Sequence, residues 1–136
     1  MDKSIEEKIV SAFIVKRKQE RALFELSSSK KRNHFIWSLS DTALFKEECM
    51  FEIKEAVPSY ETIYALLKSK GAPLDGYCMC LESELGFNGK TLPLDEALSA
   101  LLGYGPFLLS CLHGKLAYLE CEQAFGAPLR YLLTSD

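Results

Sequence analysis

Cys111 and His113 stand two residues apart, side-chain types that together make a nucleophile and its base. They share a strand face only if the strand runs on through His113. His113-Gly114 instead reads as a hairpin turn, and no third, orienting group lies close in sequence. His113 is therefore expected as a turn residue. Glu82 with Glu84, and Glu120 with Glu122, have the spacing of paired carboxylates for acid–base work or cation binding. Each pair ends a strand pattern without a companion His or Asp, so both pairs are expected in solvent.

Gly103-Tyr104-Gly105-Pro106 has the composition of a phosphate loop. It follows a helical pattern and precedes a strand, the reverse of the order that aims a helix N-terminus at phosphate, so it reads as a helix stop. Cys78 and Cys80 would share one strand face, and with Cys111, Cys121 or His113 they could complete a zinc site. The simpler reading is that these cysteines act as small buried apolar residues. No metal centre and no cofactor is expected. Walker, HExxH, GxSxG, CxxC and EF-hand patterns are absent.

Two groups of residues remain as binding candidates. Ser83, Asn88, Lys90 and His113 lie beyond strand patterns, where open parallel sheets hold ligands. They carry the expectation of a small-ligand site or an enzyme. The second group follows from charge. Residues 1–40 hold nine Lys/Arg against five Asp/Glu, and residues 41–136 hold seven against fourteen. The cations Lys16, Arg17, Lys18, Arg21, Lys30, Lys31 and Arg32 gather in this first part, close to Trp37, the only tryptophan.

Such a cluster can hold a nucleic-acid backbone and stack a base, or it can frame an aromatic anchor for a protein partner. Glu20 and Glu25 dilute it, and the chain's pI of about 5.5 lies far below that of a dedicated nucleic-acid domain. The leading expectation is a small cytoplasmic binding or adaptor protein without catalysis, contacting a protein through its N-terminal helices with Trp37 as anchor. A nucleic-acid or phosphate-binding accessory role through the basic cluster is the alternative. No membrane association is expected, because no apolar run approaches the roughly 20 residues that span a bilayer. The polar start, Met1 to Lys8, is unlike a secretory signal.

The elements that position these residues follow from periodicity. A length of 136 residues suits one domain, with a helical subregion at 1–43 and a mixed core at 44–136. Ile5, Ile9, Ala12 and Phe13 predict a helix over 4–15, capped by Ser4. The run Lys16–Arg21 either continues that helix or breaks it. Ala22, Leu23 and Leu26 resume an apolar face, and a helix over about 29–39 follows, capped from Ser27-Ser28-Ser29.

A strand at Met50–Ile53 leads through Val57-Pro58 to a helix capped by Ser59, with Tyr60, Ile63, Tyr64 and Leu67 inward. Tyr77–Leu81 is a buried strand, Asn88-Gly89 a turn, and Leu92-Pro93 the start of another helix. Phe107–Leu112 and Lys115–Cys121 form a hairpin in which Leu109 faces Tyr118 and Leu108 faces Leu119. Leu129–Leu133 adds a last strand. The β-α-β-α-β-β-β order predicts an α+β fold: a mixed sheet of about four or five strands with some parallel pairing, helices packed on it, and an N-terminal helical arm.

Overall fold

The computed structural model describes residues 1–54, 59–122 and 126–135. The chain forms α1 (Lys3–Phe13), α2 (Lys16–Ser27), α3 (Arg32–Ser38), β1 (Met50–Glu52), α4 (Tyr60–Ser69), β2 (Asp75–Cys80), β3 (Thr91–Pro93), α5 (Leu94–Leu101), β4 (Phe107–Leu112), β5 (Leu116–Glu120) and β6 (Arg130–Thr134). The fold is α+β. Among the described residues, six strands lie in the order β1-β6-β5-β4-β2-β3, and each pairing is antiparallel.

The expected parallel pairing is thereby corrected, and the reason is instructive. Helix α4 joins β1 to β2, and α5 joins β3 to β4. Each of these crossovers links strands that point the same way, but antiparallel strands occupy the space between them. A helical crossover sets direction without setting adjacency. Leu92 and Pro93, expected to open a helix, instead belong to β3, an edge strand of three residues too short to show alternation, and α5 starts at Leu94. The β4–β5 hairpin has the expected pairs Leu109–Tyr118 and Leu108–Leu119, but a bulge at Cys111 shifts the register toward the turn, so that Leu112 faces Leu116 and Lys115 joins the turn instead of the strand.

Strand alternation sorts the core into two apolar layers on one sheet. Tyr77, Met79, Leu108, Ala117, Leu119 and Leu133 point to one face, where Ile9, Phe13, Ala22, Leu26, Phe35, Ile36 and Leu39 of α1–α3 cover them. Cys78, Cys80, Phe107, Leu109, Tyr118 and Leu132 point to the other, under Ile63 and Leu67 of α4 and Leu94, Leu98 and Leu101 of α5. The N-terminal helices are therefore a packed layer and not a projecting arm. Nearly continuous apolar runs in β2, β4 and β5 are the mark of strands covered on both sides.

Local chemistry sets the helix boundaries. The Asp2 carboxylate, not Ser4, caps α1 by accepting the Ile5 N–H at 3.1 Å. Ile14 is extended and bridges Phe45, which breaks the chain between α1 and α2 before Lys16. No side chain caps α3; the Ser28 carbonyl takes the Lys31 and Arg32 N–H groups instead. Ser59 caps α4 through the Thr62 N–H at 3.2 Å, while Val57 and Pro58 lie outside the described residues. Tyr60, expected to face inward, is exposed at the first turn of that helix.

Candidate functional site

Arg32, expected at a contact surface, is 2% exposed and sealed between α1 and β2. Its guanidinium meets the Glu6 carboxylate through both terminal nitrogens, with Nη1 to Oε1 at 2.9 Å, and Nη1 also reaches the Leu26 carbonyl at 3.1 Å. The Tyr77 hydroxyl donates to Glu6 Oε2 at 2.6 Å and accepts the Asp2 N–H at 3.0 Å. Burial opposes the Arg32 charge, yet the Glu6 carboxylate outweighs it and holds the guanidinium pKa above its ordinary value. Tyr77 is pushed up to about 12, mainly by burial and then by Glu6.

Asn88, expected to bind a ligand, belongs to the same network. Its Oδ1 accepts from Arg32 Nε at 3.3 Å and from the Cys80 N–H at 3.4 Å, and its Nδ2 donates to Glu82 Oε1 at 3.1 Å. Among the described residues, each buried side-chain polar atom has a hydrogen-bond partner. The network is accordingly complete without a ligand, and it ties α1, α3, β2 and the 82–90 loop together.

The other strand-end candidates do not converge with Asn88. Ser83 and Lys90 are exposed on the loop after β2, where Ser83 Oγ accepts the Leu85 N–H at 3.3 Å. His113 sits in the turn after β4. Because β4 runs antiparallel to β2, pairing Cys80 with Phe107, that turn lies at the opposite end of the sheet from Ser83. His113 Nδ1 lies 2.7 Å from the buried Ser110 hydroxyl, and its ring meets Tyr77 edge-on at 6.4 Å. Burial, with Lys8 adding to it, lowers its pKa. Cys111 faces the other side of the sheet, among the α4–α5 core residues.

The basic cluster is partly absorbed by its own fold. Besides Arg32, Arg21 pairs with the buried Glu25 at 3.2 Å, and Glu25 also holds His34 Nδ1 at 2.9 Å. Lys31 lies 5.0 Å above the Phe24 ring. Lys16, Arg17 and Lys30 are exposed, and Lys18 is half-buried. Arg17, Lys18, Arg21 and His34 line a shallow concavity of about 290 Å³, which Glu25 and Asp41 share.

What the structure does build is a cleft across the end of the sheet, between the two helical layers. Trp37 of α3 forms one wall, 49% exposed. Tyr104, 78% exposed, and the end of α5 at Ala100 and Leu101 form the other. Leu81 lies between them. Two concavities adjoin here as its lobes, of about 550 and 490 Å³, with Leu81 and Tyr104 lining both. The first takes in Ser83 and the exposed Leu85; the second reaches Glu120 and Glu122.

Glu120 corrects the expectation of a solvated strand-end acid, being 0% exposed. Arg130 Nε donates to its Oε1 at 3.1 Å, as does the Tyr118 hydroxyl at the same distance. Its Oε2 accepts the Gly103 N–H at 2.9 Å and the Gly105 N–H at 3.2 Å. That carboxylate thus clamps the backbone on both sides of Tyr104 and presents its ring to solvent. The Gly103–Pro106 stretch is a helix stop, as its order in the sequence implies, but it is also the cleft wall. A bulky aromatic between two glycines, outside any apolar periodicity, was the sequence signal for it.

The five cysteines are all buried. Burial pushes the Cys78 and Cys111 thiols up to about 12, and Cys80 and Cys121 to about 11. That makes poor nucleophiles of them. Among the described residues, no group of three or more His, Cys, Asp or Glu is placed to hold a metal ion, and no helix is long and apolar enough to cross a membrane. Comparison with protein-family models, with curated proteins and with solved structures finds no match to this chain.

Proposed function

We propose that this chain is a binding or adaptor module that docks a segment of a partner protein in the sheet-end cleft, with Trp37 as the anchor. The observation that carries the reading is the exposure of large apolar residues about two adjoining concavities, Trp37 on one, Leu85 on the other and Tyr104 on both. Large apolar side chains left in water are costly, at about 25 cal/mol per Å² of apolar area. Rigid aromatics at the edge of a preformed cleft are the residues that dominate protein recognition. Its lobes also fall within the roughly 300–1,000 Å³ range of binding pockets. The Asn88 and Glu120 networks hold both walls in place, which limits the entropy lost on docking. Buried, unreactive thiols suit a reducing compartment, which supports a cytoplasmic setting.

Selection of displayed random peptides on the full chain tests this reading, because Trp37 is a single built-in fluorophore. Selected peptides should shift Trp37 emission and lose about tenfold or more in affinity on Tyr104→Ala, equivalent to about 1.4 kcal/mol. Trp37→Ala, followed with labelled peptide, should cost at least as much. Peptides that bind both variants as well as the parent chain would overturn the proposal.

A further inference from the structure

Resting on the docking reading above, we infer that the cleft selects a cationic partner segment: an extended peptide in which Arg or Lys flanks an apolar side chain. Glu82 and Glu84 edge one lobe and Glu122 the other, all three exposed. No Lys, Arg or His is among the described residues that line either lobe. Glu120 lies deeper and is already matched by Arg130, so the unmatched negative charge sits at the rim. Leu81, Leu85 and Leu101 supply an apolar floor and side for the anchor. The faces of Trp37 and Tyr104 present electron-rich rings, on which a guanidinium stacks favourably.

Glu82 is pre-set for this task. Its carboxylate accepts Asn88 Nδ2, its N–H donates to Asn33 Oδ1 at 3.1 Å, and Asn88 in turn rests on the buried Arg32. A rim carboxylate fixed in this way loses little freedom when it meets a cation. Phosphate-bearing ligands are repelled by the same rim. The chain's own basic helix α2 is a poor substitute occupant: Arg21 is engaged by Glu25, and a head-to-tail contact of that kind does not close into a ring unless its rotation happens to fit.

The test uses the full chain and three tryptophan-free peptides of one length: alternating Arg and Leu, the same with Gln for Arg, and the same with Glu for Arg. The Arg peptide should shift Trp37 emission and bind about tenfold more tightly than the Gln peptide. Its affinity should fall as salt is raised, and Glu84→Lys with Glu122→Lys should weaken it about tenfold or more while leaving the urea midpoint unchanged. Equal binding of the Gln or Glu peptide at Trp37 would overturn the cationic inference and leave the docking reading standing. If no peptide moves Trp37 emission, both fall. Concentration-dependent association in sedimentation that Glu84→Lys abolishes would overturn the inference in favour of a second copy as occupant.

Discussion

Arg32 illustrates how little a charged residue's type says about its role. In a run of Lys and Arg it has the look of a contact residue, yet it is buried and paired with Glu6 across 26 positions of sequence. Removing one partner of such a pair strands the other charge, so Arg32→Ala should cost about 3–5 kcal/mol. The double change Glu6→Gln with Arg32→Met should recover much of that loss. Urea unfolding of the three chains measures this, and a cost for Arg32→Ala below about 1 kcal/mol would mean the network does not hold the helices to β2.

His113 makes the stability of the fold depend on pH. Its folded pKa is lowered by burial and by Lys8, so below the ordinary value of about 6.5 the unfolded chain binds more protons. Stability should therefore decline as pH drops through that value, and it should be fully regained above it. His113→Gln should flatten that part of the curve, which urea midpoints at about pH 5 and about pH 7 would reveal.

At the level of elements, capping decides which helices are locally specified. Helix α4 begins with a serine cap, Glu61 in its first turn and Lys68 near its end, and its boundaries are close to those expected from sequence. Ser59→Ala should lower stability by about 1 kcal/mol, read as a shift in urea midpoint without a change in slope. Helix α3 has no side-chain cap and only seven residues, so packing of Phe35 and Ile36 must hold it. For that reason it starts at Arg32 and not near residue 29, where the sequence places it. The β4–β5 hairpin was legible in its Leu108–Leu119 and Leu109–Tyr118 pairs, but not at its tip, where the turn takes residues 113–115 and a bulge at Cys111 sets Leu112 opposite Leu116.

Across the whole molecule, one sheet serves two cores. Leu108 and Leu109 are neighbours in sequence but point to opposite helical layers. Leu108→Ala and Leu109→Ala should each cost about 2–5 kcal/mol. Both should lower the same single transition, with Trp37 fluorescence and far-ultraviolet dichroism coinciding. Separate transitions for the two probes would show that the layers unfold independently.

Several features were determined by the sequence alone: the α+β class, both helices of the second layer, the central hairpin and the burial of the cysteines. Each rests on periodicity, capping or turn chemistry within a dozen or so residues, where the physics is local. Strand order, the absence of parallel neighbours among the described pairings, and the pairing of Glu6 with Arg32 and of Glu120 with Arg130 were decided only by tertiary structure. So was the cleft, since Trp37, Leu81 and Tyr104 come from segments far apart in the chain and meet only when two helical layers close over one end of the sheet. Proximity of that kind comes from the way distant segments pack, and spacing along the chain carries no record of it.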